Sequence, residues 1–312
     1  MSKRHEDMAL VINMSGGKDS VYMLGKLCAE YPNAKKYVVM ADTGFEHEKP
    51  ISAVDWARQR CVAYGLTLYV VRNPNKTYLE MVERRGMFPS ATTRQCTSDL
   101  KRGPIETWIR RAVKAGIIKE KIIINCTGIR AEESAARSKQ KPLKRHKSLS
   151  KNGRIVWNWM PVFRATLDEV LAWHRETETP LHPVYVWAGG YLKRFSCRVC
   201  IFATDSDLAA IYEHDREAFD LVSSLEERTD FTMRADRSLV QIVRSGDAGF
   251  ITTQEAALVD LTTDDRTAIV SLYDIRSMDS NRHQRRGRGL QPRGRRRGRA
   301  RAGKLSFSER AK

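Results

Sequence analysis

Residues 8–20 read Met-Ala-Leu-Val-Ile-Asn-Met-Ser-Gly-Gly-Lys-Asp-Ser, and they set the expectation for the whole fold. Met8–Met14 is almost wholly apolar and reads as a buried strand. Ser15–Ser20 breaks it, and a helix follows through about Glu30. Gly16 and Gly17 let the backbone turn tightly and bring N–H groups close to a ligand. The helix start behind them offers unpaired donors and a partial positive charge. That dipole contributes only about 0.3–1 kcal/mol at an exposed site, so side chains must add to it. Ser15 and Ser20 supply hydroxyls, and Lys18 supplies a full charge. Asp19 is out of place in a pure anion site, which leaves two readings: a helix cap, or a ligand for Mg²⁺ beside phosphates. The segment is not a Walker A loop, because position 12 is Ile where that motif needs glycine.

Outward from this loop, apolar runs alternate with amphipathic ones. Lys36–Ala41 reads as a second strand, ending in Asp42-Thr43-Gly44 and followed by a helix from about Ile51 to Tyr64. Leu66–Val71 is a third strand. Lys121–Cys126 is a fourth, preceded by a helix from Pro104 to about Ala115, with proline in its first turn. Val156–Val162 is a weaker candidate. This alternation predicts an α/β fold, a parallel sheet with helices on both faces. Ligands on such sheets sit beyond the carboxyl ends of the strands. The segments 15–20, 42–44 and Thr127-Gly128-Ile129-Arg130 all follow predicted strands, so they are expected to converge on one crevice. From Ala165 to about Arg228 the pattern is helical, interrupted by the turn-rich Pro183–Arg194 segment and by Cys197 and Cys200.

Three regions are expected: a nucleotide-binding domain over 1–235, a small accessory segment over 236–281, and an Arg/Gly-rich tail over 282–312. The tail is too poor in apolar residues to bury a core and reads as disordered. Its ten arginines between Arg282 and Arg301 account for more than half of the net charge of +18, so the body is only mildly basic. Such a tail suits nucleic-acid binding by counterion release, or serves solubility or an acidic protein partner. No apolar run approaches the roughly 20 residues that span a bilayer. The N-terminal MSKRHEDM is charged and lacks a secretory segment, so a cytoplasmic protein is expected. Its six cysteines then read as buried thiols or metal ligands rather than a disulfide framework.

Several side chains are candidates for chemistry. Arg130 and Arg137 flank an acidic pair, and arginine's planar fork suits phosphate or sulfate; the alternative is a solvated helix start capped by Glu133 and Ser134. Asp42 and Thr43 suit adenosine, ribose or a metal, or simply make a turn. Arg94 and Lys101 straddle Cys96. Cys197-x-x-Cys200 has the spacing of a metal half-site or a redox pair, and the neighbouring Lys193, Arg194 and Arg198 favour thiolates. Trp157, Trp159, Tyr185, Trp187 and Tyr191 read as packing rather than stacking platforms.

SGGKDS at 15–20 resembles the PP-loop of the N-type ATP pyrophosphatases and of the sulfonucleotide (PAPS/APS) reductases. The likeness extends to Asp42-Thr43-Gly44, Arg94-Gln95-Cys96-Thr97 with Lys101, Gly128-Ile129-Arg130 through Ser134 with Arg137, and Ser196-Cys197-Arg198-Val199-Cys200. It covers roughly residues 8–225. The resemblance implies a Rossmann-like (HUP-type) sheet with a mainly helical C-terminal extension. It implies ATP or a PAPS-like nucleotide bound by Ser15, Gly16, Gly17, Lys18, Asp19, Ser20, Asp42, Thr43, Gly44, Gly128, Arg130 and Arg137, with Mg²⁺. Lys18, Asp19 and Arg130 are the expected catalytic groups. It further implies a [4Fe–4S] cluster, with zinc as the alternative, held by Cys96, Cys197 and Cys200. A fourth thiolate is then needed. Cys126 is the candidate, although it also reads as a small core residue, and His214 is an outside choice that suits zinc. The implied activity is adenylation of an acceptor with pyrophosphate release, followed by sulfur transfer with a possible sulfur-donor protein as partner. The nearest analogy is the PAPS-reductase-like component of DNA phosphorothioation systems, then the tRNA thiolation enzymes. Two departures argue against PAPS reduction: Gln95-Cys96 replaces the paired cysteines of cluster-bearing reductases, and no Cys-Gly-Ile-His type segment follows Cys200.

Overall fold

The computed structural model describes residues 7–187, 192, 195, 197–245 and the backbone of 270–271. MALVINM forms β1 (Met8–Met14), and its alternating side chains feed two cores. Leu10, Ile12 and Met14 join one apolar cluster and Ala9 and Val11 the other. A strand apolar on both faces belongs at the centre of a covered sheet. β2 (Lys35–Asp42) and β4 (Ile122–Thr127) flank it, both parallel to it. β3 (Leu68–Arg72) adds outside β2, and β6 (Ile155–Trp159) outside β4, again parallel. β5 (Leu143–Arg145) closes one edge antiparallel to β6, and β7 (Val270–Ser271) pairs parallel to β3.

Helices cover both faces, as the alternating pattern predicts. α1 (Lys18–Glu30) and α2 (Ala53–Val62) pack Val21, Leu24, Leu27, Ala53 and Ala57 on the Leu10–Ile12 side. α3 (Tyr78–Arg85) follows β3 and adds Tyr78, Met81 and Val82 to the same cluster. α4 (Gly103–Lys114) covers the opposite side with Ile105, Trp108, Ile109 and Ala112. Each of the larger aliphatic side chains among these, fully buried, contributes about 1.5–3 kcal/mol. After the short α5 (Ala135–Ser138), α6 (Leu167–Glu176) lies against α1. α7 (Asp205–His214), α8 (Arg216–Thr229) and α9 (Leu239–Arg244) pack on one another and bury Leu208, Phe219, Leu225, Leu239 and Ile242 in the first cluster.

The strand order β5-β6-β4-β1-β2-β3-β7 matters for the site. From β1 the chain builds outward through β2 and β3 on one side, then returns to place β4 and β6 on the other. The reversal lies between β1 and β4, and a crevice opens there beyond their carboxyl ends. Ser15 and Gly128 are the residues that leave those two ends.

Three elements escape the pattern reading. α3 rests on a capping box, Thr77 with Glu80, rather than on a long apolar stripe. A π-helical turn over Cys96–Arg102 leads into α4, so the helical path begins before Pro104. β5 is Leu-Lys-Arg and exposed throughout, which leaves no alternation to read. The 282–312 tail and most of 236–281 lie outside the described residues. Among the described residues no helix is long and apolar enough to cross a membrane.

Candidate functional site

The Ser15–Ser20 loop is built by close approach. Gly16 has φ +77°, which favours glycine, and a Cβ there would lie 3.0 Å from Phe195 Cε1. A Cβ on Gly17 would lie 3.2 Å from both the Phe195 carbonyl oxygen and the Tyr185 hydroxyl. Within the loop the Ser15 N–H donates to Ser20 Oγ at 3.2 Å, and the Ser20 hydroxyl donates to the Gly17 carbonyl at 2.8 Å. Helices α2, α3, α6, α7, α8 and α9 each start on a Ser, Thr or Asp side chain that caps them. α1 starts on Gly17 and has no side-chain cap. Its first amides are thus left without the side-chain acceptor its neighbours have, the condition for holding an anion. One is engaged already: the Lys18 N–H donates to the Tyr185 hydroxyl at 3.2 Å.

Asp19 is not a cap. Its Oδ1 accepts from Arg130 Nε at 2.6 Å and its Oδ2 from Lys18 Nζ at 3.1 Å. Arg130 is buried, and burial opposes its charge; Asp19, with Glu132 and Glu133, outweighs that and raises its pKa. Gly128 lets the two loops meet, since a Cβ there would lie 3.1 Å from the Asp19 carbonyl oxygen and 3.2 Å from the Ser20 nitrogen. His174 supports the arrangement from α6, with Nε2 3.0 Å from the Lys18 carbonyl oxygen and Nδ1 2.9 Å from that of Thr179. The loop, Gly128 and Arg130 therefore come together at the switch point, as their positions after β1 and β4 predict.

Other candidates are engaged in holding the fold. Asp42 accepts from the Gly44 N–H at 2.7 Å and from Arg72 Nε at 2.8 Å, while the Thr43 hydroxyl donates to Glu46 Oε1 at 2.8 Å. Both are buried, and the turn reading of Asp-Thr-Gly describes them. Gly44 has φ +73° and packs against Thr77. Arg137 pairs with Glu133, and Ser134 caps α5 by accepting the Arg137 N–H at 3.2 Å, which is the helix-start alternative.

A second cluster lies beyond β2. Cys96, Cys197 and Cys200 are half-buried and interact electrostatically with one another, with Lys101 and with Tyr78. Lys101 Nζ donates to Cys197 Sγ at 3.5 Å. Burial pushes the Cys96 thiol up and the Cys197 thiol up to about 12, with Lys101 pulling both back. Burial also works against the charge on Lys101, but Cys197, Glu46, Cys200 and Cys96 together outweigh it and keep it protonated. Burial raises Glu46 in turn. The Tyr78 hydroxyl is buried there with no hydrogen-bond partner among the described residues.

Two sequence expectations change here. Arg198 does not act on the thiols: it is buried in a two-pronged pair with Asp215 at 2.8 and 2.5 Å, which ties the Cys197–Cys200 loop to the start of α8. Among the described residues Lys101 acts on all three sulfurs and Arg94 on Cys96 as well; Lys193 and Arg194 lie outside them. Cys126 does not join the other three. It is fully buried in β4, its thiol 3.5 Å from the Ile124 carbonyl oxygen, and burial alone raises its pKa. Its side chain lies in phase with Ile124 on the core-facing side, so the small-core-residue alternative describes it. His214 is exposed and stacks on Trp187 at 5.3 Å.

The two clusters are neighbours along the chain. Phe195 touches Gly16 and Gly17, and Cys197 is only two residues further, at most about 7 Å of chain. Three cysteine thiols beside a cation match the donor chemistry of an iron–sulfur cluster or zinc. Among the described residues no three Cys, His, Asp or Glu side chains already stand in metal-ligating geometry. Tyr185, His174 and Glu46 are the contributors that sequence reading misses. Each is a single residue in a turn or on a helix, and only contact with a distant segment reveals its part.

Comparison with known proteins bears on this arrangement. A 37.8 kDa uncharacterized protein encoded near gpa in Escherichia phage 186 is 23% identical over 243 residues, which is 65% of this chain and 70% of that protein. The structure of the U34-tRNA thiolase NcsA from Methanococcus maripaludis, with its [4Fe–4S] cluster, matches with a TM-score of 0.40 and 20% identity over 84% of this chain and 79% of that one. Residues 9–197 match the phosphoadenosine phosphosulfate reductase domain. That match starts inside β1, runs through the Ser15–Ser20 loop, Arg130 and Cys96, and ends on Cys197, so it takes in the crevice just described. By it, this chain belongs to the phosphoadenosine phosphosulfate reductase domain family.

Proposed function

We propose that the protein is an ATP pyrophosphatase of the PP-loop type that adenylates an acceptor in preparation for sulfur transfer. One observation carries the reading: α1 opens on uncapped glycine, with Lys18 and the Asp19–Arg130 pair at its start, at the switch point of the sheet. Family membership supports an adenine nucleotide as the ligand. The β- and γ-phosphates lie on Ser15–Ser20, held by its N–H groups and Lys18, while the Ser15 and Ser20 hydroxyls brace the loop from within. An acceptor oxygen attacks the α-phosphorus, a new P–O bond forms, and the bond to the β-phosphate oxygen breaks. Lys18 and the helix start stabilise the charge that collects on the departing pyrophosphate. Mg²⁺, when bound with ATP, adds Lewis-acid stabilisation of the same oxygens. Arg130 is oriented by Asp19 toward the crevice and stabilises the α-phosphate side.

Cys96, Cys197 and Cys200 fit the holding of a cluster, [4Fe–4S] ahead of zinc, which supplies thiophilic chemistry when bound. Lys101 balances its negative charge. The assay is release of pyrophosphate from ATP. Wild-type turnover with loss in the Ser15→Ala/Lys18→Ala variant is expected, and turnover equal in both sinks the assignment.

A second reading, a reductase or binder of sulfonucleotides, is favoured by the description of the family itself. It requires tight binding of a 3′-phosphorylated adenine nucleotide without pyrophosphate release from ATP.

A further inference from the structure

Beside Cys96 the surface opens into a depression of about 550 Å³ whose lining includes Arg85, Thr93, Arg94, Gln95, Ser98 and Arg102. None of its lining residues belongs to the phosphate loop, and none is an acid. Its arginines are poorly neutralised. Arg85 Nη1 donates to Gln95 Oε1 at 3.3 Å, and the Arg94 guanidinium lies 5.1 Å from the Phe202 ring centre. Neither pairs with a carboxylate among the described residues. Arg102 reaches Glu106 only at 3.7 Å, and its side chain is 68% exposed.

Three like charges offset only by the Glu106 carboxylate at 3.7 Å from Arg102 repel one another, and an anion relieves the repulsion. Guanidinium forks match phosphate oxygens two bonds at a time, and the Thr93 hydroxyl adds a neutral donor, whereas that of Ser98 already donates to Asp99 Oδ1 at 2.7 Å. The depression is open, whereas a pocket for a small molecule encloses most of its ligand. An open basic groove suits a backbone that crosses it and continues on both sides. Cys96 lies in the chain between the lining residues Arg94, Gln95 and Thr97, Ser98, so a strand held here runs past the thiol cluster.

We propose that the Arg85–Arg94–Arg102 depression grips the backbone phosphates of a nucleic-acid strand and leads that strand to the thiol cluster. The inference rests on the proposed function, because it names the class of acceptor that the adenylating site serves.

The test uses the full chain and fluorescence anisotropy with labelled single-stranded DNA and RNA of about 20 nucleotides, between about 50 and 200 mM salt. The arginines of residues 282–312 are present in every variant, so differences between variants report the depression. Neutralising three contacts lowers the slope of log K against log salt by about 2, at about 0.7 per phosphate on a single strand. Arg85→Gln/Arg94→Gln/Arg102→Gln is therefore expected to lose roughly tenfold or more in affinity at low salt, with that reduced slope. The triple lysine variant is expected to keep the slope. Unchanged affinity and slope in the glutamine variant overturn the proposal, as does selective loss of adenosine 3′,5′-bisphosphate binding, which marks a mononucleotide phosphate site. ATP affinity of the wild-type protein is measured alongside. ATP binding with an unchanged oligonucleotide slope sinks the depression alone; no ATP binding with a reduced slope sinks the adenylation reading alone.

Discussion

Arg130 Nε lies 2.6 Å from Asp19 Oδ1, and this contact joins the loop after β1 to the loop after β4 across the switch point of the sheet. The guanidinium is 5% exposed and the carboxylate 18%. Removing one partner of a buried pair leaves the other uncompensated; here Lys18 still faces Asp19 and softens the loss. Arg130→Gln is expected to cost about 2 kcal/mol in urea unfolding, and to weaken ATP binding more than Arg137→Gln does. Equal ATP affinity in the two variants refutes a role for Arg130 in the crevice.

Tyr185 occupies the Lys18 amide, a donor that the proposed phosphate site would use. Tyr185→Phe loses a buried hydrogen bond and is expected to destabilise the free protein by about 1 kcal/mol. ATP then regains the freed donor, so the rise in Tm on adding ATP should be larger than in wild type. A smaller rise shows that the hydroxyl helps to bind the nucleotide.

Gly128→Ala drives a methyl group into the backbone of Asp19 and Ser20 at 3.1–3.2 Å, with no flexible side chain to yield. Overpacking of this kind costs about 1–3 kcal/mol. Nucleotide affinity should fall with stability, because the strained atoms belong to the phosphate loop. Calorimetric titration with ATP that matches wild type contradicts this.

Three buried histidines make stability depend on pH. Burial lowers the pKa of His174; burial first, then its neighbour His182, lowers His47 to about 3; and burial lowers His182 to about 4. His182 is held neutral, its Nδ1 accepting from the Val184 N–H and its Nε2 facing the Ile51 carbonyl. The unfolded chain binds protons at these sites near pH 6.5 while the folded one does not. Stability is therefore present above about pH 6.5 and falls on acidification toward pH 4, by up to about 1.4 kcal/mol per pH unit per histidine. Urea midpoints at pH 7 and pH 5 measure it; His182→Gln should flatten the difference, and an equal drop in the variant excludes His182.

The three-sulfur grouping makes a metal-content prediction. After anaerobic reconstitution with iron and sulfide, Cys96→Ala, Cys197→Ala and Cys200→Ala should each lose most bound iron. Cys126→Ala should retain it. Iron lost from the Cys126 variant at wild-type stability would restore that residue as the fourth ligand.

The elements that carry the crevice were legible from residues 8–20 outward because each has a local cause. Apolar runs bounded by turn residues made β1, β2 and β4, and the two glycines in SGGKDS marked the phosphate loop. The position of Arg130 just after a strand placed it at the carboxyl edge. α3 and β5 were not legible, since one is short and cap-driven and the other exposed on every side.

The sequence by itself determined the sheet-and-helix alternation, the loop and the meeting of the ends of β1 and β4 at it, because these follow from periodicity and backbone preference over a few residues; the expected approach of 42–44 gave way to a turn held by Arg72 and Glu46. Only the tertiary structure decided which charges pair. Asp19 took Arg130 rather than a cap, Arg198 took Asp215 while Lys101 faces the thiols, and Cys126 stayed in the core while three other cysteines met. Such choices depend on distances between segments a hundred residues apart, and on burial that makes each ion seek its counter-charge; neither is written in local spacing.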